Sequence, residues 1–363
     1  MVFLTVSYGL SFFGRLALRP FLSGRSKNWS FGRRNIIAIG AGRIGAGFAK
    51  QLHHNDGLGL KLVGFLDDNV RLMNKKVEGV RVLGNTAEIE RIVRQEGIDE
   101  IFLTISSINH QSLLDLIEKC RNTDCQINIV SNHFGVVEKK VGRAEFKDLR
   151  CVAIRGRRST IYQNHIKRFI DLVGATVIAV VILPFLIVLA ILVKISSNGP
   201  VLYSSTSIGR NGNPFKFYKF RSMFDNVPNE IHKELVKDFI TGKKTDGKKI
   251  QNDPRITSIG RFMRKYSLDE FAQLINVING DMSLVGPRPS TTYEYEMMEP
   301  WHRKRFSVLP GMTGLWQVAG RAEVGFTDAI MLDIYYIENC SFWMDFMILL
   351  KTIRVVFAAK GGS

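Results

Sequence analysis

The longest uncharged segment of the chain runs from Leu172 to Val193 and restricts the fold more than any other feature. It is long enough for a membrane helix, which needs about 20 consecutive apolar residues. Pro184 lies in the middle of the segment and is expected to kink or break a helix there. Arg168 and Lys194 flank the segment, and the positive-inside rule keeps basic flanks in the cytoplasm. We therefore predict a re-entrant membrane helix over residues 168–195 that turns at Pro184, with an ordinary transmembrane span as the alternative.

The charge of the chain calls for an anionic partner. Lys and Arg number 50 against 33 Asp and Glu, which gives a formal net charge of +17. Anionic lipid headgroups and nucleotide diphosphates fit this charge. Nucleic acid is not expected as a partner, because the sequence has no helix-turn-helix, zinc-finger or RNP-like signature. The cysteines form no C-x-x-C pair, which indicates reduced thiols in a cytosolic compartment.

Residues 33–150 predict a Rossmann-like domain. A short apolar strand leads into Gly40-x-Gly42-x-x-Gly45 and then into a helix, which is the context that a dinucleotide-binding loop requires. A second strand ends at Asp67, where a ribose-binding acid is expected. Helices and strands then alternate along the rest of the segment, which favours an open parallel α/β sheet.

The glycine loop leaves the function of the whole chain open. It predicts a nucleotide ligand, but the Tyr-x-x-x-Lys pair of short-chain dehydrogenases is missing, so redox chemistry is only weakly indicated. An NAD-dependent enzyme, such as a nucleotide-sugar dehydratase, is one alternative function. A non-catalytic membrane scaffold with a nucleotide-sensing domain is another.

Residues 1–22 form an apolar stub that is interrupted by Arg15 and Arg19. The stub is too short to span a bilayer. It also lacks the basic n-region and the small-residue cleavage site of a signal peptide. A buried terminal helix and a surface membrane anchor both fit this pattern.

Two adjacent carboxylates, Asp269 and Glu270, follow Ser267 in the second half of the chain. Ser267 and Glu270 have the spacing of a capping box, and apolar residues follow at helical spacing, so a plain helix start is one interpretation. In the other interpretation, the helix N-terminus keeps Asp269 ionised, so that it can attack phosphorus as a nucleophile, and Glu270 holds a divalent metal. Residue chemistry alone does not decide between the two.

Four long motifs in the second half resemble a single family. They are KFRSM (219–223), NDPRIT (252–257), SLDEFAQLINVINGDMSLVGPRP (267–289) and PGMTGLWQVAGR (310–321). From Lys167 to its end, the chain resembles the bacterial sugar transferases. These are monotopic phosphoglycosyl transferases such as undecaprenyl-phosphate galactose or glucose phosphotransferase.

The resemblance implies a mainly helical α/β catalytic domain over residues 164–363, on the cytoplasmic face of the bacterial inner membrane. The implied phosphotransferase reaction, of the EC 2.7.8 class, moves hexose-1-phosphate (galactose or glucose) from a UDP-hexose to undecaprenyl phosphate and releases UMP. It would initiate exopolysaccharide, capsule or O-antigen synthesis. The Rossmann-like domain would be accessory, and the stub would be the remnant of a larger membrane region. Larger members of the family also imply a homodimer.

The resemblance also implies roles for single residues. Asp269 would carry a covalent phosphosugar intermediate, and Glu270 would hold Mg²⁺, with Asp281 as a lesser metal candidate. Asp333 and Tyr336, three residues apart on one predicted helical face, are candidate substrate contacts. The basic residues expected to bind phosphate oxygens are Lys219, Arg221, Arg264, Arg288 and Arg321.

Three further segments carry structural predictions. Glu294–Arg305 is expected to form one helix, and Trp316–Val318 is expected to form a strand that leads to Arg321. The tail Phe342–Ala359 is apolar around most of its circumference. It fits either the protein core or the membrane interface.

Overall fold

The structure, a computed structural model, describes residues 34–54, 59–105, 108–123, 125–130, 152–154, 165–224, 230–240, 253, 255–320 and 324–357. The predicted stub 1–22 and Arg321 lie outside the described residues.

The first domain is built on a seven-stranded sheet. Its strands are β1 (Arg34–Ile39), β2 (Leu60–Leu66), β3 (Lys76–Val77), β4 (Val80–Gly84), β5 (Glu100–Leu103), β6 (Gln126–Ile129) and β7 (Val152–Ile154). Its helices are α1 (Arg43–His54), α2 (Ile89–Glu96) and α3 (His110–Arg121). The strand order is β3-β4-β2-β1-β5-β6-β7, with the inner strands β4 to β6 parallel and the edge strands β3 and β7 antiparallel. This parallel order is that of a Rossmann-like sheet, so the predicted fold of this domain is confirmed.

The residues of β1 show why the sheet is covered on both faces. Ile36 and Ala38 belong to one apolar cluster, whereas Ile37 and Ile39 belong to another. Side chains alternate between the two faces of a strand, so both faces of the sheet are buried. Helix α1 covers the first face through Phe48, and helices α2 and α3 cover the second.

The second domain combines short sheets with helices. Its strands are β8 (Leu202–Ile208), β9 (Pro214–Phe220), β10 (Ser283–Val285), β11 (Ser290–Thr291) and β12 (Gly311–Thr313). Its helices are α4 (Lys167–Ser196), α5 (Glu230–Ile240), α6 (Ser258–Lys265), α7 (Leu274–Asn279), α8 (Thr292–Glu296), α9 (Leu315–Ala319), α10 (Phe326–Asn339) and α11 (Phe342–Phe357), with 3₁₀ helices at Leu268–Gln273 and His302–Ser307. Strands β11, β8 and β9 form an antiparallel sheet, and β10 pairs in parallel with β12.

Helix α4 contains the long apolar segment and runs without interruption for 30 residues. Among the described helices, it is the one long and apolar enough to cross a membrane. The predicted turn at Pro184 does not interrupt it, and the helix continues to Ser196. Proline removes one helical hydrogen bond, and packing on both sides of Pro184 offsets that loss. The re-entrant arrangement in a bilayer stays a prediction.

One face of α4 packs against the second domain along the length of the helix. The residues on that face are Asp171, Ala175, Ala179, Ile182, Leu186, Leu189 and Val193. Their spacing of three or four residues is that of a single helical face. The opposite face exposes large apolar side chains such as Val177, Val181, Val188 and Ile195. Helix α4 therefore offers an apolar surface while both of its ends remain attached to the same domain.

Two secondary-structure predictions are wrong. Glu294–Arg305 is not one helix, because α8 ends at Glu296 and the 3₁₀ helix begins only at His302. Pro300 lies between them and has no N–H to continue a helical ladder. Trp316–Val318 is not a strand, because it lies in helix α9. The strand in this part of the chain is β12, which comes just before α9. The strand propensity of Trp and Val is overridden here by packing on α10 and α11.

Helix α3 joins the first domain to the second. The His110 ring stacks on Trp301, with ring centroids 4.5 Å apart. Arg121 forms an ion pair with Glu338 of α10. Buried apolar residues of both domains belong to one continuous cluster. The two cores therefore meet at this junction.

Candidate active site

The 3₁₀ helix Leu268–Gln273 packs against β9 and places a carboxylate between two cations. Glu270 Oε1 lies 3.6 Å from Lys219 Nζ and 3.3 Å from a guanidinium nitrogen of Arg288. Lys219 comes from β9, and Arg288 follows β10 in the chain. Three of the predicted site residues, supplied by three separate elements, are therefore brought together.

Asn276 fixes β9 relative to these carboxylates. Its side chain is fully buried. Its amide donates to the Lys216 carbonyl at 2.6 Å and accepts from the Tyr218 N–H at 3.1 Å. Because side chains alternate along a strand, anchoring the backbone there sets the side on which Lys219 emerges. Sequence analysis did not single out Asn276, since its role depends on a contact with a distant strand.

The capping box predicted at Ser267 is wrong. Ser267 has φ +55°, in the left-handed region, and its side chain makes no capping hydrogen bond. The Glu270 carboxylate turns to Lys219 and Arg288 instead. A non-glycine residue in this conformation is uncommon and is often found at functional sites. Ser267 makes the tight turn that lets the carboxylates follow directly after α6.

Asp269 is buried, with 7 % of its surface exposed. Burial raises the pKa of its carboxyl group, while the positive charge of Lys219 lowers it, the neighbouring Glu270 raises it and Arg264 lowers it. The net direction is upward. In its effect on the pKa of Asp269, the loss of water on burial therefore outweighs the nearby cations.

The other predicted phosphate-binding residues differ in their surroundings. Arg264 lies in the last turn of helix α6 and is half-buried, and its charge acts on Asp269. Arg221 is buried, and one guanidinium nitrogen donates to the Ser197 and Val193 carbonyls at the end of α4, at 2.6 and 3.4 Å. Cations stabilise helix C-termini, so in this structure Arg221 caps α4 instead of facing an open surface.

Asp333 and Tyr336 lie in the core, not at an accessible surface. Asp333 is fully buried and pairs with Arg305 at 2.7 Å. The Tyr336 hydroxyl donates to Asp345 at 2.7 Å and contacts the Val285 carbonyl at 3.0 Å. The predicted common helical face is present, but it points inward. Neither side chain is placed for the direct substrate contact that was expected.

A metal ion in this region would have few protein ligands. Among the described residues, no group of three or more His, Cys, Asp or Glu side chains is arranged to hold a metal. Asp281 follows the C-terminal end of α7, whereas Glu270 precedes the start of that helix. Mg²⁺ commonly takes one or two carboxylates and fills its coordination shell with water and substrate phosphates. Glu270 fits that pattern as a single carboxylate.

The glycine loop of the first domain is tightly packed at one of its glycines and open at another. Gly45 has no room for a side chain, because a Cβ atom there would lie 2.0 Å from the Gly40 carbonyl oxygen. A Cβ atom on Gly42 would meet nothing within 4 Å, so the fold itself does not require glycine at that position. One Asp67 oxygen accepts from the Ala41 N–H at 2.7 Å, so this acid supports the loop.

Comparison with known proteins agrees with this architecture. The family model for bacterial sugar transferases matches residues 162–359, more than half of the chain. A second family model, for a CoA-binding domain, matches residues 2–131. The chain therefore belongs to the bacterial sugar transferase family, and the predicted resemblance is confirmed.

Several relatives align with nearly the whole chain. A UDP-galactose-lipid carrier transferase of Erwinia amylovora is 32% identical over 96% of this chain and 72% of its own length. An undecaprenyl-phosphate galactose phosphotransferase of Salmonella typhimurium is 31% identical over 95% of this chain and 74% of its own length. A UDP-glucose:undecaprenyl-phosphate glucose-1-phosphate transferase of Escherichia coli is 28% identical over 97% and 75%.

Proposed function

We propose that the protein transfers hexose-1-phosphate from UDP-galactose or UDP-glucose to undecaprenyl phosphate. Relatives named for these reactions support the proposal. The observation that carries it is the buried Asp269 carboxylate next to Glu270, with Lys219 and Arg288 bound to the latter. This arrangement pairs a candidate nucleophile with cations that suit a diphosphate.

In the first half of the reaction, an Asp269 oxygen attacks the β-phosphorus of the UDP-sugar. The new bond joins carboxylate oxygen to phosphorus, and the bond from phosphorus to the bridging oxygen breaks. That oxygen leaves on UMP, and the hexose phosphate stays on Asp269 as an acyl phosphate. Lys219 and Arg264 favour this step, because their positive charges lower the pKa of Asp269 and so favour the ionised carboxylate that attacks.

In the second half, a phosphate oxygen of the lipid attacks the same phosphorus. The bond to Asp269 breaks, the carboxylate is regenerated, and the product is a lipid diphosphate that carries the hexose. The two anionic substrates thus react in turn and need not occupy the site together, which avoids their mutual repulsion.

The cations of the site would offset the charge of the phosphates. Lys219 and Arg288 are held near the reacting group by Glu270 in the described structure. When the diphosphate enters, these side chains can turn from Glu270 to phosphate oxygens. Mg²⁺, when bound, would supply further positive charge at the diphosphate, with Glu270 as its protein ligand.

The exposed apolar face of α4 would hold the catalytic domain at the membrane where the acceptor lies. Undecaprenyl phosphate keeps its chain in the bilayer and its phosphate at the surface. A domain attached to the inner leaflet by α4 meets that phosphate without extracting the lipid. The expected location is therefore the cytoplasmic face of the bacterial inner membrane.

The proposal is tested by the Asp269→Asn variant. Full-length protein in undecaprenyl phosphate-containing detergent micelles or vesicles is given UDP-galactose or UDP-glucose with Mg²⁺, and UMP release is measured. The variant is expected to lose release with both sugars while it folds and binds membrane normally. Asp328→Asn, at an exposed helix start in α10, is the matched control and should keep full activity.

Incubation with donor alone tests the covalent step. Wild-type protein should gain the mass of one hexose phosphate, and the adduct should map to Asp269. Wild-type-like turnover by Asp269→Asn would exclude this residue as the nucleophile. UMP release that requires both substrates from the outset would exclude the two-step route.

We also propose that the glycine loop of the first domain binds a phosphate-containing nucleotide or coenzyme. The open space at Gly42 supports this ligand class, since backbone N–H groups at a helix start favour phosphate. Calorimetric titration with NAD⁺, coenzyme A and UDP-glucose, repeated with Gly42→Val, tests it. Binding of none of these, or equal binding by the variant, would contradict it.

A further inference from the structure

The buried pair of Arg305 and Asp333 lies outside the reacting group and is connected to it through Arg288. Both side chains are buried, with 6 % of Arg305 and none of Asp333 exposed. They pair at 2.7 Å between the 3₁₀ helix His302–Ser307 and helix α10. A buried ion pair commonly adds little stability compared with apolar residues of similar size, because desolvation offsets the attraction. Stability alone is therefore a weak reason for this pair.

The same guanidinium nitrogen of Arg305 also reaches the backbone that carries Arg288. It donates to the Arg288 carbonyl at 3.0 Å. Arg305 therefore connects Asp333 with the backbone of a residue whose side chain binds Glu270.

The segment Gly286–Arg288 is held at each of its residues. The Gly286 N–H donates to the Thr313 carbonyl at 2.8 Å, and the Pro287 carbonyl accepts from the Gly311 N–H at 2.8 Å. Pro287 and Pro289 flank Arg288 and have no N–H, so they cannot donate a backbone hydrogen bond. The third hydrogen bond to this segment comes from the Arg305 side chain, which donates to the Arg288 carbonyl.

We infer that Arg305, balanced by Asp333, is a positioning residue that fixes the Arg288 backbone and thereby aims the Arg288 guanidinium at the donor diphosphate. The inference rests on the proposed function. It gives Asp333 an indirect role in place of the substrate contact expected from the sequence. Loss of Arg305 releases Arg288 without removing any phosphate-binding group.

The test uses a double variant that keeps the core free of an unpaired charge. Arg305→Met/Asp333→Leu removes both charges and fills the space with apolar side chains of similar length. Arg121→Met/Glu338→Leu removes the ion pair at the domain junction, which also involves helix α10, and is the matched control. Thermal unfolding, kcat/KM for the UDP-sugar, and inhibition by UDP and by uridine are measured for wild type and both variants.

The positioning role predicts that kcat/KM of Arg305→Met/Asp333→Leu falls by roughly tenfold to a hundredfold, since small misplacement of a substrate-binding group costs that much. Inhibition by UDP should weaken in parallel, while inhibition by uridine and the melting temperature stay near wild type. The control should keep wild-type kinetics.

Wild-type kinetics in Arg305→Met/Asp333→Leu would overturn the inference and leave the proposed function intact. Equal weakening of UDP and uridine inhibition, or an equal loss of activity in the control, would show a general structural defect and would also overturn it. Absence of UMP release from the wild-type protein with either sugar would overturn the proposed function, and this inference with it.

Discussion

Two buried aspartates of the second domain meet cations in different ways. Asp269 has Lys219 and Arg264 as charged neighbours, and its partner carboxylate Glu270 contacts two partly exposed cations at the edge of the site. Asp333 has one buried partner, Arg305, and no exposure to solvent. In the first arrangement, Lys219 and Arg288 can turn from Glu270 to the phosphates of a substrate. In the second, Arg305 stays paired with Asp333 inside the protein and serves only to hold the structure in place.

The titration of Asp333 should be visible in the stability of the protein. Burial raises the pKa of this carboxyl group to about 7, although Arg305 opposes the shift. In the unfolded chain the group titrates near 3.9. Between about pH 4 and 7 the folded protein therefore holds a proton that the unfolded chain has lost, so the free energy of unfolding falls as the pH rises through this window. Asp333→Asn removes this contribution.

Thermal unfolding of wild type and Asp333→Asn in detergent, over a series of pH values, checks this prediction. The melting temperature of the variant minus that of the wild type should increase as the pH rises towards 7. Parallel curves for the two proteins would mean that Asp333 ionises at the same pH in the folded and unfolded states.

Residue roles were predictable from the sequence only where a motif carried them. The grouping of Lys219, Glu270 and Arg288 follows from family motifs, and the structure brings these side chains together. Asp333 and Arg305 are far apart in the sequence, and no periodic pattern indicates that they pair. Such a contact depends on how α10 packs against the 3₁₀ helix, which the local sequence does not encode.

At the scale of elements, helix α1 offers a matched pair of glycines. A Cβ atom on Gly45 would lie 2.0 Å from the Gly40 carbonyl oxygen, whereas one on Gly47 would meet nothing within 4 Å. Gly45→Ala should therefore destabilise the first domain by at least about 2 kcal/mol through steric overlap. Gly47→Ala should stabilise it by about 0.5–1 kcal/mol, because alanine loses less entropy than glycine in a helix.

Chemical unfolding of the two variants, followed by circular dichroism, measures both effects. Stabilisation by Gly45→Ala as well would show that α1 does not approach Gly40 as closely as the structure indicates.

Elements with a strong periodic pattern were predictable, and those decided by tertiary packing were not. The apolar strand before Gly40 and the succession of strands and helices after it predict the Rossmann-like sheet and its helices. The short α9 contains Trp316 and Val318, which favour strands, and is helical because of its neighbours. The turn at Ser267 was missed because its backbone conformation is imposed by the surrounding fold.

The packing of α4 determines which membrane arrangements are compatible with the fold. Asp171 near its start accepts from the Leu284 N–H at 3.0 Å. Val193 near its end packs with Phe220 and Met263. These two anchors are roughly 33 Å apart along the helix, about the thickness of a bilayer core. If both contacts persist, a perpendicular span is excluded, and both ends of α4 lie on one side of the membrane.

Cysteines introduced at His165 and Asn198, which lie just outside the two ends of α4, test this arrangement. In spheroplasts, a membrane-impermeant thiol reagent should label neither position, and both should react once the inner membrane is opened. The unsubstituted protein gives the background from its own cysteines. Labelling of one position in intact spheroplasts would establish an ordinary span.

The molecule as a whole combines a buried domain junction with exposed apolar surfaces. At the junction, Lys304 adds an ion pair with Glu118, 3.3 Å away, to the contacts of α3. Elsewhere, α4 and the C-terminal helix α11 each present an apolar face to the outside. Basic residues outnumber acidic ones, so electrostatics and apolar contact both favour an anionic membrane surface.

The two faces of helix α11 have different surroundings, and one of them makes the predicted contact with the core. Asp345 and Ile348 are buried, whereas the other face exposes a stripe of large apolar residues. The stripe consists of Phe342, Trp343, Phe346, Leu350 and Ile353. Helix α11 therefore packs one face on the core, and its exposed stripe has the apolar character that suits a membrane interface.

Tryptophan fluorescence provides the final prediction, because two tryptophans of the second domain differ in exposure. Trp343 is 60% exposed and Trp301 is 6% exposed. In variants that keep only one of them, with the other tryptophans replaced by Phe, brominated anionic lipid vesicles should quench Trp343 strongly and Trp301 weakly. Phe346→Asp in the Trp343 variant should reduce the quenching, since a charge on the stripe opposes burial in the interface. If Trp343 is quenched no more than Trp301, the apolar face of α11 does not lie in lipid.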